Sequence, residues 1–126
     1  MDIKFYECQV CGNVIYKIVD SGMIPRCCGR QMEELVPGVE GGSKEHHVPV
    51  CKVEGNKVHV CIGSEAHPME EKHHISWIAL KTTKGAQLKT LEVDDKPEAC
   101  FMLEDGEKPE EVYAYCTVHK LWKGEI

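Results

Sequence analysis

The sequence predicts an all-β chain that begins with a small metal-bound domain and continues as a β-sandwich. Four of the eight cysteines fall within the first 28 residues, in a segment too short to fold on a hydrophobic core alone. Beyond residue 44, short runs of branched apolar residues alternate with polar turns at hairpin spacing, and no long helical pattern competes with them. We therefore expect a head at residues 1–36, a linker at 37–43 and a sandwich at 44–126.

Composition limits the classes of protein that this chain fits. Its 126 residues are 42% hydrophobic, which is enough for one modest core. No apolar run approaches the roughly 20 residues of a membrane span, and the first residues lack a signal-peptide pattern. The formal net charge of −6 argues against general nucleic-acid binding. A cytoplasmic protein is expected, and in that compartment cysteines serve metal sites before disulfides.

Two cysteine pairs organise the head. Cys8 and Cys11 form a Cys-x-x-Cys-Gly knuckle, whose glycine allows backbone N–H groups to turn toward the sulfurs. A strand is predicted at 13–19, before the second pair, Cys27 and Cys28. Four thiolates around one ion would stabilise this segment, and both iron and zinc accept such ligands. Because adjacent cysteines cannot repeat the knuckle, we expect a distorted tetrahedron.

A connection and six strands are predicted after the head. Residues 37–43 contain a proline, three glycines and a serine, which is typical of a linker. The strands are expected at 48–53, 57–62, 74–81, 86–93, 99–103 and 111–116. Val58, Val60 and Ile62 alternate with less apolar neighbours beyond a turn at Gly55 and Asn56, as in a hairpin with one buried face. This spacing indicates an immunoglobulin-like β-sandwich.

Three further cysteines lie inside these strand-like runs. We expect Cys51, Cys61 and Cys100 to be buried and to behave as small hydrophobic residues. A disulfide between the hairpin neighbours Cys51 and Cys61 is the alternative, and it requires an oxidising compartment.

A second set of candidate metal ligands extends to the C-terminal part of the chain. Cys116 and His119 are three residues apart, so both can reach one ion. His47 and His67 lie beside prolines, and His73 precedes a predicted strand. Four imidazoles and one thiolate exceed the four ligands of structural zinc. Five protein ligands with an open position suit a redox iron that must meet a small molecule.

The other histidines are weaker candidates. His59 alternates within the hairpin, and His74 is expected on the strand face opposite His73. Spacing alone leaves two choices open, between His46 and His47 and between His73 and His74.

Both parts of the chain resemble known iron proteins. Residues 1–36 resemble desulforedoxin, a small rubredoxin-like protein in which a Cys-x-x-Cys pair and a Cys-Cys pair hold one iron. The remainder resembles superoxide reductase in three strings, at residues 45–50 (EHHVPV), 66–77 (AHPMEEKHHISW) and 116–122, where Cys-x-x-His is followed by Trp122. Over nearly its whole length the chain is similar to desulfoferrodoxin, the two-iron form.

The resemblance implies the ligands of two iron ions. The head iron would be held by Cys8, Cys11, Cys27 and Cys28. The second iron would have four equatorial ligands, His47, His67, His73 and His119. Cys116 would be its axial thiolate, with the opposite position open in the reduced state. Glu45 matches the glutamate that occupies this position after oxidation.

The same resemblance implies an activity and its partners. Superoxide reductase converts superoxide to hydrogen peroxide with one electron and two protons and releases no dioxygen, which serves detoxification under oxidative stress. Rubredoxin or a similar small carrier would return the electron, and a homodimer is expected. The head iron would relay electrons or brace the dimer. The alternative is an electron-transfer or metal-binding protein without superoxide chemistry; a structural zinc protein is disfavoured by five mixed ligands.

Two positions depart from the family pattern. His46 stands where a lysine of a Glu-Lys-His motif draws superoxide in, and Lys120 stands where a glycine follows the ligand histidine. Because a histidine is only partly charged near neutral pH, we expect steering to be weaker or pH-dependent. Lys44, Lys72 or Lys120 would substitute as the attracting cation.

Overall fold

Strands carry almost all of the regular structure, which confirms the all-β class. The computed structural model describes residues 3–39 and 41–126. Met1 and Asp2 of the predicted head and Glu40 of the predicted linker lie outside the described residues. Two compact units are present, Met1–Val36 and Pro37–Ile126. Among the described residues, one short helix departs from the prediction, α1 (Lys44–His47).

The first unit contains two small antiparallel sheets. Its strands are β1 (Phe5–Glu7), β2 (Val14–Tyr16), β3 (Arg26–Cys27), β4 (Arg30–Gln31) and β5 (Glu33–Glu34). One sheet has the order β2-β1-β5, and β3 pairs with β4 in the other. The strand predicted at 13–19 is limited to β2, and Ile18 and Val19 beyond it are exposed. A small buried cluster of Tyr6, Cys8 and Met32 supports this unit.

Two antiparallel sheets build the second unit. Its strands are β6 (Pro49–Glu54), β7 (Lys57–Ile62), β8 (Ile75–Thr82), β9 (Gly85–Thr90), β10 (Glu98–Met102), β11 (Pro109–Cys116) and β12 (Lys120–Glu125). The orders are β10-β7-β6 and β12-β11-β8-β9. The six predicted strands are present; β7 has the predicted bounds, and the other five have shifted ends. β12 was not predicted, because its buried Leu121 and Trp122 are adjacent and break the alternation expected of a strand.

One hydrophobic core lies between the two sheets. Val58, Val60 and Ile62 of β7 contribute their side chains from one sheet, at 0–1% exposure. Ile78 of β8 and Val112 of β11 contribute from the other, and both are fully buried. Two sheets that bury their inner faces against each other form a sandwich, as predicted.

The cysteines of the strands are only partly buried, which corrects the sequence-based expectation. Cys51 packs against the core. Cys61 pairs with Val50, which is 48% exposed, and Cys100 pairs with His59, so both thiols lie on the outer face of the β10-β7-β6 sheet. Cys51 and Cys61 therefore point to opposite faces, which excludes the alternative disulfide; both are free thiols.

Among the described residues, no helix is long and apolar enough to span a membrane.

Candidate metal centres

Backbone carbonyls orient two histidines of the second unit. His47 ends α1, and its Nδ1–H donates to the carbonyl of Ser43 over 2.7 Å. The Nδ1–H of His67 donates to the carbonyl of Pro68 over 2.6 Å. Each bond fixes the tautomer, so each neutral ring presents a lone pair at Nε2. The two Nε2 atoms lie 3.2 Å apart, where facing lone pairs repel unless a cation lies beside both.

Four imidazole rings surround one centre. His47 is edge-on to His67 and to His119, with interplanar angles of 80° and 90°. His73 is edge-on to the same two rings, at 85° and 71°. His47 and His73 face each other across the centre, with centroids 6.3 Å apart and 28° between the planes. The four rings therefore stand at the corners of a rough square.

The ring of His73 supplies an independent indication of a metal. Its Nε2 is buried and has no hydrogen-bond partner among the described residues. Such an atom is energetically unfavourable unless something else binds it. Donor atoms of His47, His67, His73 and Cys116 all lie within 4.8 Å of one another. A cation among them would bind the His73 lone pair and relieve the repulsion between the other two rings, so this donor set fits a metal ion.

Cys116 and His119 join the cluster through the turn between β11 and β12. Cys116 ends β11 and is fully buried. The backbone N–H of His119 donates to its Sγ over 3.4 Å, and His119 Nδ1 lies 3.1 Å from His47 Nε2. Burial raises the pKa of the Cys116 thiol. The thiolate therefore needs an adjacent cation to form at neutral pH.

Burial also keeps three of the rings neutral. It is the main cause that lowers the pKa of His47, His67 and His73, and the pKa of His67 falls to about 4. Because a protonated imidazole has no free lone pair, these shifts favour the form that binds metal.

Trp122 and Gly42 support the rings. The indole of Trp122 stacks on His47, with centroids 4.7 Å apart, and its Nε1–H donates to the carbonyl of His119 over 3.2 Å. Gly42 has a φ of +87°, and a Cβ there would lie 2.9 Å from His119 Cγ and 3.0 Å from His47 Cε1. Sequence reasoning misses Gly42, because the pair it forms with Gly41 is equally typical of a linker.

Glu45 and His46 lie on α1 but outside the cluster of donor atoms. The side chain of Glu45 is exposed, while its carbonyl accepts the backbone N–H of Glu65 over 2.9 Å. His46 Nε2 lies 3.3 Å from the Glu65 carboxylate, and its side chain is 42% exposed. When protonated, His46 therefore faces a negative charge that offsets its own.

The structure also separates the histidine doublets that spacing left open. His47 and His73 belong to the cluster. His46 instead pairs with Glu65, and His74 Nδ1 donates to the carbonyl of Glu70 over 2.9 Å.

Lys120 adopts a backbone conformation that glycine would adopt more easily. Its φ is 62°, in the left-handed region. It pairs with Cys116 where β12 begins, and its Nζ lies 6.0 Å from the centroid of the Tyr115 ring. The turn that returns His119 to the cluster thus ends at a strained residue.

The four cysteines of the head form a second donor set, with their sulfurs within 4.8 Å of one another. Backbone N–H groups of Cys11 and Val10 donate to Cys8 Sγ over 3.4 Å each, and they lower the pKa of Cys8 to about 6. Hydrogen bonds with the neighbouring thiols raise the pKa of Cys28 to about 12. Four sulfurs so close cannot all ionise without a cation, so the set fits iron or zinc.

Comparison with known proteins assigns the chain to a family. The Desulfoferrodoxin family model matches residues 40–125. A desulfoferrodoxin from Syntrophotalea carbinolica is 41% identical over 123 residues, which are 98% of this chain and 96% of the relative. The chain belongs to the desulfoferrodoxin family. A desulfoferrodoxin from Nitratidesulfovibrio vulgaris is 40% identical and covers 97% of this chain and 95% of its own length.

Solved structures agree with this assignment. The superoxide reductase from Treponema pallidum is 34% identical, with a TM-score of 0.84, over 99% of this chain and 100% of its own. The one-iron superoxide reductase from Giardia intestinalis is 33% identical, with a TM-score of 0.56, over 66% of this chain and 98% of its own. The resemblance to desulfoferrodoxin is confirmed, and the chain carries both donor sets of a two-iron member.

Proposed function

We propose that this member of the desulfoferrodoxin family is a superoxide reductase, with its reaction centre at His47, His67, His73, His119 and Cys116. The observation that carries the proposal is the square of four imidazoles beside a buried thiol. Five such donors exceed the closed tetrahedron of structural zinc. Five protein ligands suit a redox iron that keeps one position for a small molecule. The similar chains from Treponema pallidum and Giardia intestinalis are superoxide reductases.

The reaction adds one electron and two protons to superoxide and yields hydrogen peroxide. When bound at the cluster, ferrous iron supplies the electron and an open position for the anion. The carbonyls of Ser43 and Pro68 hold the Nε2 atoms of His47 and His67 toward the centre. Cys116 would hold the metal as a thiolate, a ligand that donates electron density to iron.

Attraction of the superoxide anion depends on local cations, because the net charge of −6 repels it. The Glu65 carboxylate offsets the charge of a protonated His46. Lys44 and Lys72 are exposed, and Lys44 shares α1 with His47. Together with Lys120, they are our candidates for the attracting cation. Glu45 carries an exposed carboxylate two residues before His47, and we assign it the displacement of the product.

The partners follow from the proposed reaction. The oxidised centre needs a one-electron donor, and rubredoxin or a similar small carrier remains our prediction for it. The head centre would relay electrons or brace a homodimer. The homodimer and a cytoplasmic location also stay predictions.

A superoxide-consumption assay that also measures dioxygen tests the function. The reduced, iron-loaded full chain should consume superoxide, form peroxide and release no dioxygen. Cys116→Ser should lower the rate by about 100-fold or more, since even outer partners of metal ligands contribute about 10–100-fold. Cys51→Ser is the matched control, because Cys51 also packs against the hydrophobic core but lies outside the cluster.

Three results would contradict the proposal. Dioxygen released in the proportion of a dismutation would indicate a different reaction. No consumption of superoxide would favour the electron-transfer alternative. An equal rate in Cys116→Ser and Cys51→Ser would place the reaction elsewhere.

A further inference from the structure

A third group of donor atoms lies on the outer face of the β10-β7-β6 sheet and shares no residue with either proposed iron centre. His59 and Cys61 are two residues apart on β7, and Glu98 begins β10 directly opposite Cys61. Because alternate strand residues share a face, the three side chains leave the sheet on the same side. Their donor atoms all lie within 4.8 Å of one another.

The distances in this group suit one tetrahedral ion. His59 Nε2 lies 3.8 Å from one carboxylate oxygen of Glu98, and Cys61 Sγ lies 3.8 Å from the other. Zinc bonds of about 2.0–2.3 Å place neighbouring ligand atoms roughly 3.3–3.8 Å apart. Imidazole, thiolate and carboxylate are all zinc ligands, whereas calcium and magnesium take oxygen alone.

Two simpler roles for these residues fit less well. A surface ion pair between His59 and Glu98, whose side chains are each 39% exposed, would contribute little and would not involve the thiol. A nucleophilic role for Cys61 is disfavoured, because burial and the adjacent carboxylate raise the pKa of its thiol. A bound cation would instead replace the thiol proton.

An open cleft gives an ion access to the group. It has a volume of about 300 Å³ and is lined by Cys61, Glu98, Gly63, Lys96 and Pro97. Two of the three donor residues thus form part of its wall, and solvent reaches them through it.

We propose that His59, Cys61 and Glu98 form a zinc-binding site whose fourth position opens to this cleft. The site is additional to the two iron centres and independent of the superoxide chemistry. It would connect β7 to β10 across one strand pair.

Metal counting on the iron-loaded full chain tests this site. The protein is incubated with zinc chloride and passed through a desalting column, and its iron and zinc are then measured by mass spectrometry. We expect one zinc per chain in addition to two irons. Cys61→Ser and Glu98→Gln should weaken zinc binding by at least about tenfold in competition with a fluorescent chelator.

Matched controls lie on the same sheet. Cys51→Ser removes a thiol on the opposite face, and Glu54→Gln removes a carboxylate from the end of β6; both should keep the zinc. Thermal unfolding without added zinc checks that each variant folds, and His59→Gln replaces any that does not. The proposal is overturned if no zinc is retained, if zinc enters only as iron leaves, or if folded Cys61→Ser or its replacement keeps full affinity.

Discussion

The two candidate iron sites of this chain are supported by hydrophobic cores of very different size. In the head, the buried hydrophobic cluster consists of Tyr6, Cys8 and Met32, and the ligand candidates Cys11 and Cys28 are exposed. In the second unit, Cys116 belongs to a shared core that contains 12 buried residues among those the structure describes. A metal in the head therefore contributes to holding the fold together, whereas the second unit folds on its core and positions its metal.

The difference in how deeply the ligand candidates are buried corresponds to a difference in the role of the metal, structural in one unit and reactive in the other. A metal that stabilises a small fold needs only a closed set of ligands, and solvent contact does little harm. A metal that performs a reaction needs ligands held in one geometry by their surroundings. His47 and His67 meet this need, since each is 3% exposed and hydrogen-bonded at Nδ1.

Metal removal should give the largest effect and tests the comparison most directly. Chelation under reducing conditions should unfold the head, because its core is too small to fold alone, and leave the sandwich folded. Hydrogen exchange should show lost protection in β1 and retained protection in β7. The paired variants Cys8→Ser and Cys116→Ser should separate these effects, since only Cys8→Ser removes β1 protection. If β7 exchanges as fast as β1, the comparison fails.

An added methyl group at Gly42 should disturb the histidine and cysteine cluster of the second unit without unfolding that unit. Gly42→Ala places a Cβ within 3.0 Å of two ligand candidates, and we expect iron affinity to fall by about 10–100-fold. Gly41→Ala is the control: its φ is also positive, at +74°, but nothing lies within 4 Å of the added atom. Both variants share a backbone strain of roughly 1–2 kcal/mol. Equal iron loss in the two variants would assign the effect to strain alone.

The smallest expected effect is on the thermal stability of the second unit in the absence of metal. The Thr82 hydroxyl donates to the Glu107 carboxylate over 2.5 Å, and this bond holds the Glu107 pKa below its usual value of 4.5. We expect Thr82→Val to lower the Tm of the metal-free sandwich by a few degrees at neutral pH.

The pH dependence of this variant has a definite sign. Because the pKa of Glu107 is lower in the folded chain, its contribution is present above pH 4.5 and is lost as the pH falls below that value. The Tm difference between wild type and Thr82→Val should shrink over that range. A difference that grows on acidification would contradict the assignment.

The sequence alone predicted those features that are local or that carry a known motif. A window of a few residues is enough to recognise both cysteine pairs, the Cys-x-x-His string and the six predicted strands. The short helix α1 was missed, because four residues give no helical period. The donor group of His59, Cys61 and Glu98 was missed because it depends on the register of β7 against β10, which no local pattern specifies.

Cys116 belongs to the hydrophobic core and to the proposed reaction centre at once. It is fully buried, and it pairs with Ile75, another core residue, in the β11–β8 ladder. A packing defect at Ile75 therefore adjoins Cys116 directly. Ile75→Val should therefore lower the unfolding free energy by about 0.5–1.5 kcal/mol and also shift the reduction midpoint of an iron bound at Cys116.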